Sequence, residues 1–163
     1  MNDLYAKEVA RSGRKSFWKV MRDGPATIIS AYPIRPNAVT KVTFFMRNGD
    51  TFNIGCGKKN IDLMMTKGDL FEYPNTVFYS TVHGMKYRDK TWADYASRSY
   101  AGDNITMIID LRPFVGEVSY ARNGLDMGVA FSGLNDWGTD VYIMFSLHIF
   151  GHRLDIVEYS VQE

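Results

Sequence analysis

Residues Gly102–Phe131 read GDNITMIIDLRPFVGEVSYARNGLDMGVAF. Three apolar runs alternate within this stretch: Ile105, Met107 and Ile109, then Val118 and Tyr120, then Met127, Val129 and Phe131. Spacing of two turns successive side chains to opposite faces of a pleated strand, so each set marks one buried face. Asn123-Gly124 supplies two residues that tolerate positive φ, as a type I′ hairpin turn requires. The stretch is a three-stranded β-meander with one face in a core.

Strand-like text continues on both sides. Upstream, FWKVM is followed by the Asp23-Gly24-Pro25 turn and TIISAY, and Pro33 and Pro36 then mark a loop. VTKVTFFMR places Val42, Phe44 and Met46 on one face. Asn48-Gly49-Asp50 reads as a hairpin turn from which TFNIGCG returns antiparallel. Residues 57–75 read as a long loop with two short apolar patches, Leu63-Met64-Met65 and Leu70-Phe71. TVFYSTV is a strand, and residues 83–103 form a second irregular, polar-aromatic excursion. Downstream come VYIMFSLHI, a turn at Gly151, and RLDIVEY. The N-terminal DLYAKEVA reads as two helical turns, capped by Asn2 or Asp3 and stopped by Ser12-Gly13. Strands of this length without helical crossovers predict an all-β antiparallel sandwich or barrel.

The bulk numbers agree. A chain of 163 residues is long enough for one domain with a sizeable core. Its 45% hydrophobic and 23% charged residues match an ordinary globular protein. A net charge of +1 argues against a nucleic-acid or anionic-membrane footprint. The single cysteine, Cys56, excludes an intramolecular disulfide and a multi-thiolate zinc site. The start lacks the apolar core of a signal peptide, and no apolar run has the length of a membrane span. A cytoplasmic, reducing setting without membrane insertion is the expectation.

Gly102-Asp103-x-Ile105, Ile109-Asp110, Gly116-x-Val118-x-Tyr120, Asn123-Gly124 and Gly128-x-Ala130-Phe131 resemble, in order and spacing, the core signature of the SPRY domain. Phe45, Ile54-Gly55 and Phe78 fall where that family places earlier core strands. The run from Gly128 through SLHIFGHRLDIVEY is most similar to the SPRY domains of SOCS-box proteins. The resemblance covers about Phe17 to Tyr159. It departs at Val141-Tyr142-Ile143, where the family commonly has Tyr-Pro, and no SOCS box follows Tyr159 within this chain.

The resemblance implies a bent antiparallel β-sandwich, a concanavalin-like jelly roll, to which the residue reading adds the short N-terminal helix. Residues 1–163 would be one domain, with 1–16 as an extension and 17–159 as the core. It also implies a non-catalytic module that binds a partner peptide or protein surface through loops at one end, without a cofactor. By that resemblance Ile149-Phe150-Gly151 lines the ligand pocket, and Tyr32, Pro33 and Arg35 form one wall. Tyr73 and Trp92, with Tyr95, are further loop aromatics, a residue class enriched at interfaces. A structural subunit of a larger intracellular assembly is an alternative, and a lectin-like carbohydrate module is another. His83, His148 and His152 lack partners at metal or catalytic spacing and read as structural. Cys56 reads as a buried, inert thiol, and Asp110 as a strand-end residue capping the next turn.

Overall fold

Where the sequence alternates, the chain forms paired strands. The computed structural model describes residues 6–11, 14–19, 24–58, 75–138 and 140–163. Numbered in chain order, the strands form two antiparallel sheets. The first runs β1 (Ala6–Arg11), β2 (Arg14–Lys19), β13 (Arg153–Gln162), β4 (Val39–Asn48), β9 (Asn104–Asp110), β10 (Glu117–Arg122) and β11 (Leu125–Phe131). The second runs β3 (Ala26–Ile29), β12 (Val141–Leu147), β5 (Phe52–Lys58), β6 (Thr76–Ser80), β7 (Met85–Arg88) and β8 (Thr91–Asp94). One 3₁₀ turn, Leu134–Trp137, is the only helical element among the described residues. No described helix is long and apolar enough to cross a membrane.

The core lies between the sheets. Phe44, Met46, Ile105, Met107, Ile109, Val118 and Tyr120 of the first face Ile28, Phe52, Ile54, Cys56, Val77, Tyr79 and Phe145 of the second. The Phe145 ring meets Phe17 edge-on at 5.0 Å and Phe44 at 5.4 Å. Tyr120 crosses the whole core, and its hydroxyl donates to the Ile54 carbonyl oxygen at 2.7 Å. Its ring closes a triangle with Tyr79 and Tyr95, at centroid distances of 5.4 and 5.9 Å.

The β9–β10–β11 meander forms as the alternation requires, and Asn123 and Gly124 take φ of 51° and 79° in its hairpin. Its third strand departs from the expected face. Met127 is half-buried and Phe131 buried, but Val129 is exposed while Ala130 turns inward. The register slips between Val118 and Ala121, and Gly128 sits at φ 88° with Asp126 bonded to its N–H. Two register shifts, at Val118/Ser119 and Ser119/Ala121, each add a residue on β11 and reverse the alternation, so Val129 turns out, Ala130 turns in and Phe131 returns to the core.

Three other expectations are corrected. Ala6–Arg11 is a strand, not a helix, paired in unbroken register with β2 from Ala6 opposite Lys19 to Arg11 opposite Arg14. Tertiary pairing overrides the weak helix propensity of six residues. Asn48-Gly49-Asp50 is not a hairpin, because β4 and β5 belong to different sheets. The turn carries the chain over the sandwich edge, with Gly49 at φ 92° and the His152 ring where a side chain would stand. The excursion after His83 contains a hairpin, β7–β8, whose turn residues Asp89 and Lys90 have φ of 50° and 63°. The loop expected at 57–75 falls mostly outside the described residues.

On the outer face of the first sheet, the Ser16 hydroxyl and the Arg47 and Arg153 guanidiniums converge on the buried Asp155 carboxylate. Burial pushes that carboxyl pKa up, but the hydroxyl and the two guanidiniums outweigh it and hold it below the ordinary value. At the far end of the same sheet, Asp110 accepts from the Arg112 N–H at 3.1 Å, the expected turn cap.

Two outcomes follow. Tyr120→Phe loses one buried bridge between sheets and is expected to lower unfolding stability by about 1 kcal/mol. Urea titration checks this, with an unchanged m-value showing that the fold persists. A depressed carboxyl pKa stabilises the folded state above its unfolded value and is lost as pH falls through it. The wild type should therefore lose stability faster than Asp155→Asn below about pH 4, read by urea midpoints at successive pH values.

Candidate functional site

The second sheet is buried on its outer face as well. Phe78, Tyr87, Ile29 and Met144 form a cluster there, separate from the core. Phe78 and Tyr87 stack at 4.8 Å, and Trp92 meets both edge-on, at 5.5 and 5.1 Å. This geometry follows from alternation: Val77 and Tyr79 point into the core, so Phe78 points out.

Beside this cluster, where β5, β6 and β12 run out, lies an open depression of about 490 Å³. Its lining is Thr51, Asn53, Ser80, Val82, His83, Met85, Trp92 and His148. Asn53 and Ser80 are paired across β5 and β6, and the other lining residues come from turns and strand ends. His148 and the Ser146 hydroxyl are 3.0 Å apart.

The chain leaves the depression at His148 directly into Ile149-Phe150-Gly151. This segment is a four-residue turn in which the His152 N–H donates to the Ile149 carbonyl at 3.0 Å and Gly151 has φ 81°. Positive φ at the third position is the type II pattern that glycine serves. The turn is tied down on two sides: the Gly151 N–H donates to the Lys19 carbonyl at 3.0 Å, and the Asn48 side-chain amide donates to the Gly151 carbonyl at 3.0 Å. Ile149 and Phe150 remain 48% and 52% exposed on this fixed frame. Two adjacent large apolar residues held rigidly in solvent form an exposed contact surface.

Trp92 and the Ile149–Gly151 turn thus lie in and beside one depression. Tyr32, Pro33 and Arg35 do not join them. Their loop runs along the opposite end of β12, where the Ser30 N–H donates to Ile143 and the Ile34 N–H to Val141. Seven residues of β12 separate the two groups, about 20 Å of extended chain. Tyr32 is 83% exposed there, and Arg35 pairs with Glu163. Tyr73 lies outside the described residues. Tyr95 is half-buried, and its hydroxyl donates to the Gly128 carbonyl at 2.5 Å.

Thr51, Asn53, Ser80, Val82, Met85 and the two histidines were not legible as a site. They come from three separated stretches, 51–53, 80–85 and 148, and only the outward residues alternating with Phe52, Ile54 and Val77 hint at a second buried face.

The lining offers two imidazoles, hydroxyls, an amide, a thioether and an indole, and the Thr51 hydroxyl donates to the Asp50 carboxylate at 3.0 Å. Among the described residues no three His, Cys, Asp or Glu side chains cluster as metal ligands. Cys56 is buried in the core, where desolvation pushes its pKa to about 12. His152 packs under the turn against Phe52 at 5.8 Å, and burial holds its pKa below the ordinary imidazole value. Among the described residues its Nδ1 has no hydrogen-bond partner.

No family model matches the sequence, and no curated protein matches it either. Solved structures do. The chain is similar to a human SPRY domain, with a TM-score of 0.68 at 14% identity, covering 91% of this chain and 93% of that one. It is similar also to the SPRY domain of human HERC1, with a TM-score of 0.69 at 14% identity, covering 93% and 92%. At that identity the likeness is one of architecture: the chain has the β-sandwich fold of SPRY domains.

Proposed function

We propose that the protein is a non-catalytic recognition module that holds a segment of a partner protein in the depression framed by Trp92, His148 and the Ile149-Phe150-Gly151 turn. The observation that carries this reading is the Ile149–Phe150 pair. Two large apolar side chains stand in solvent on a turn fixed by bonds to two other strands, so little conformational entropy is lost when a partner covers them. The resemblance to the SPRY domains of SOCS-box proteins assigns the same turn to the ligand pocket, which supports the choice of site. The depression supplies hydrogen-bonding groups beside that apolar anchor, the usual division of labour in a recognition site. A single domain spanning residues 1–163 and a cytoplasmic setting belong to this reading.

A second reading, a carbohydrate module, has one observation in its favour. The lining sets an indole beside Asn53, Ser80 and Thr51, a stacking surface with hydroxyl-binding groups. Binding on a glycan array, abolished by Trp92→Ala, would replace the first reading with the second.

The first reading is tested by affinity purification from the native cell with mass spectrometry, comparing wild type, Phe150→Ala and Tyr32→Ala. Truncating a central anchor should weaken capture by about tenfold or more. The expected result is loss of partners with Phe150→Ala and retention with Tyr32→Ala. Retention with Phe150→Ala and loss with Tyr32→Ala would move the site to the opposite end of the sandwich.

A further inference from the structure

The two sheets end differently on the side where β11 and β8 are their last strands. Along β11, alternate main-chain carbonyls are already occupied. Tyr95 donates to Gly128 at 2.5 Å, Lys86 donates to Ala130 at 2.9 Å, and Arg88 donates to Ser132. These three donors come from β7 and the chain after β8. They clasp the sheets together and close that edge to strand addition.

β8 has no such cover. Arg88 and Thr91 flank the two-residue Asp89-Lys90 turn and so form a hydrogen-bonded pair. Bonded and non-bonded pairs alternate from there, so Thr91 and Ala93 aim their main-chain groups at β7. Trp92 and Asp94 aim theirs away from the sheet. Among the described residues no bond reaches those outward N–H and C=O groups, and all four residues of the strand are exposed. The side chains on the outer face continue the same contrast. Trp92 rests on Tyr87 and Phe78 with its indole partly in solvent, and among the described residues the Asp94 carboxylate has no ion pair.

We propose that β8 is a docking edge for an extended polypeptide segment that adds as an antiparallel strand. The segment carries a basic residue opposite Asp94 and, two residues later, an aromatic residue opposite Trp92. The order follows from direction, since an antiparallel partner meets Asp94 before Trp92. The side chains follow from pairing, since directly opposed residues share a face. A carboxylate selects the cation, and an indole edge selects a second ring. Four outward main-chain groups at strand spacing select a strand over a folded surface. The edge is separate from the Ile149–Phe150 contact. It shares with the preceding reading Trp92, whose indole lines the depression, and the idea that the partner is a polypeptide.

The test uses the full chain and a synthetic nine-residue peptide, TVTKVFTVT, by fluorescence anisotropy and amide hydrogen exchange. Binding is expected, with slowed exchange at the Trp92 and Asp94 amides. N-methylation of the peptide's lysine and phenylalanine nitrogens, which face β8, should weaken it about tenfold. N-methylation of the central valine, which faces away, should change it less than about twofold. Asp94→Lys should weaken the peptide about fivefold and favour a twin with glutamate in place of lysine. No binding at millimolar peptide, indifference to where the methyl groups sit, or protection confined to the Ile149–Gly151 turn would each overturn the proposal. Because the peptides are synthetic, this result stands apart from partner capture by Phe150. Either reading can fail alone.

Discussion

The constraint on which the rest depends is that β5 is buried on both faces. Phe52, Ile54 and Cys56 fill the core, while Asn53, Gly55 and Gly57 turn to an outer face that is itself covered. A Cβ at Gly55 would stand 1.9 Å from the Val77 carbonyl oxygen and 2.6 Å from the Phe78 Cβ. At Gly57 it would be 2.8 Å from the Asn75 carbonyl oxygen and 3.1 Å from the Met144 sulfur. The absent side chains are the space into which Phe78 and Met144 lean from the flanking strands. Burying a side chain of that size contributes about 2 kcal/mol, so the outer cluster is a second, smaller core.

That second core explains where the candidate site lies. Towards one end of the sheet the outward positions become small and polar: Asn53, Ser80 and Ser146. The apolar cover stops at Trp92, and the depression opens between it and His148. The turn that carries Ile149 and Phe150 projects from the same end because β12 ends there. The crossing at Gly49 brings β4 to the same place, which lets Asn48 hold Gly151. Core packing and the contact surface therefore share their supports, and the loops that hold the surface are fixed by rigid strands.

Legibility followed how local each signal was. Ile105, Met107, Ile109, Val118 and Tyr120 were readable because they recur at every second position of half-solvated strands. Val129 was misread because a bulge depends on how β11 meets β10, which no spacing within β11 records. Asn48-Gly49 specifies a tight turn, but the same turn chemistry serves a hairpin or a crossing between sheets. The β7–β8 hairpin escaped notice because Asp89-Lys90 lacks glycine and its four-residue strands are short and half polar. At the site, Phe150 beside Gly151 carried a mark, an apolar residue at a turn. The lining residues carried none, since an outward Asn53 or Ser80 looks like any polar strand position. Tyr32 and Phe150 were grouped by resemblance, and the antiparallel run of β12 against β3 separates them.

The central claim is that recognition occurs at the end of the second sheet where Trp92 and the Ile149–Gly151 turn meet the depression. Amide hydrogen exchange of the free protein against the same protein purified with its native partner addresses it most directly. The account predicts new protection at Thr51, Ser80 to Met85, Trp92 and His148 to Gly151, with Tyr32 to Asn37 unchanged. New protection at Tyr32 to Asn37, with the first group unchanged, would contradict it.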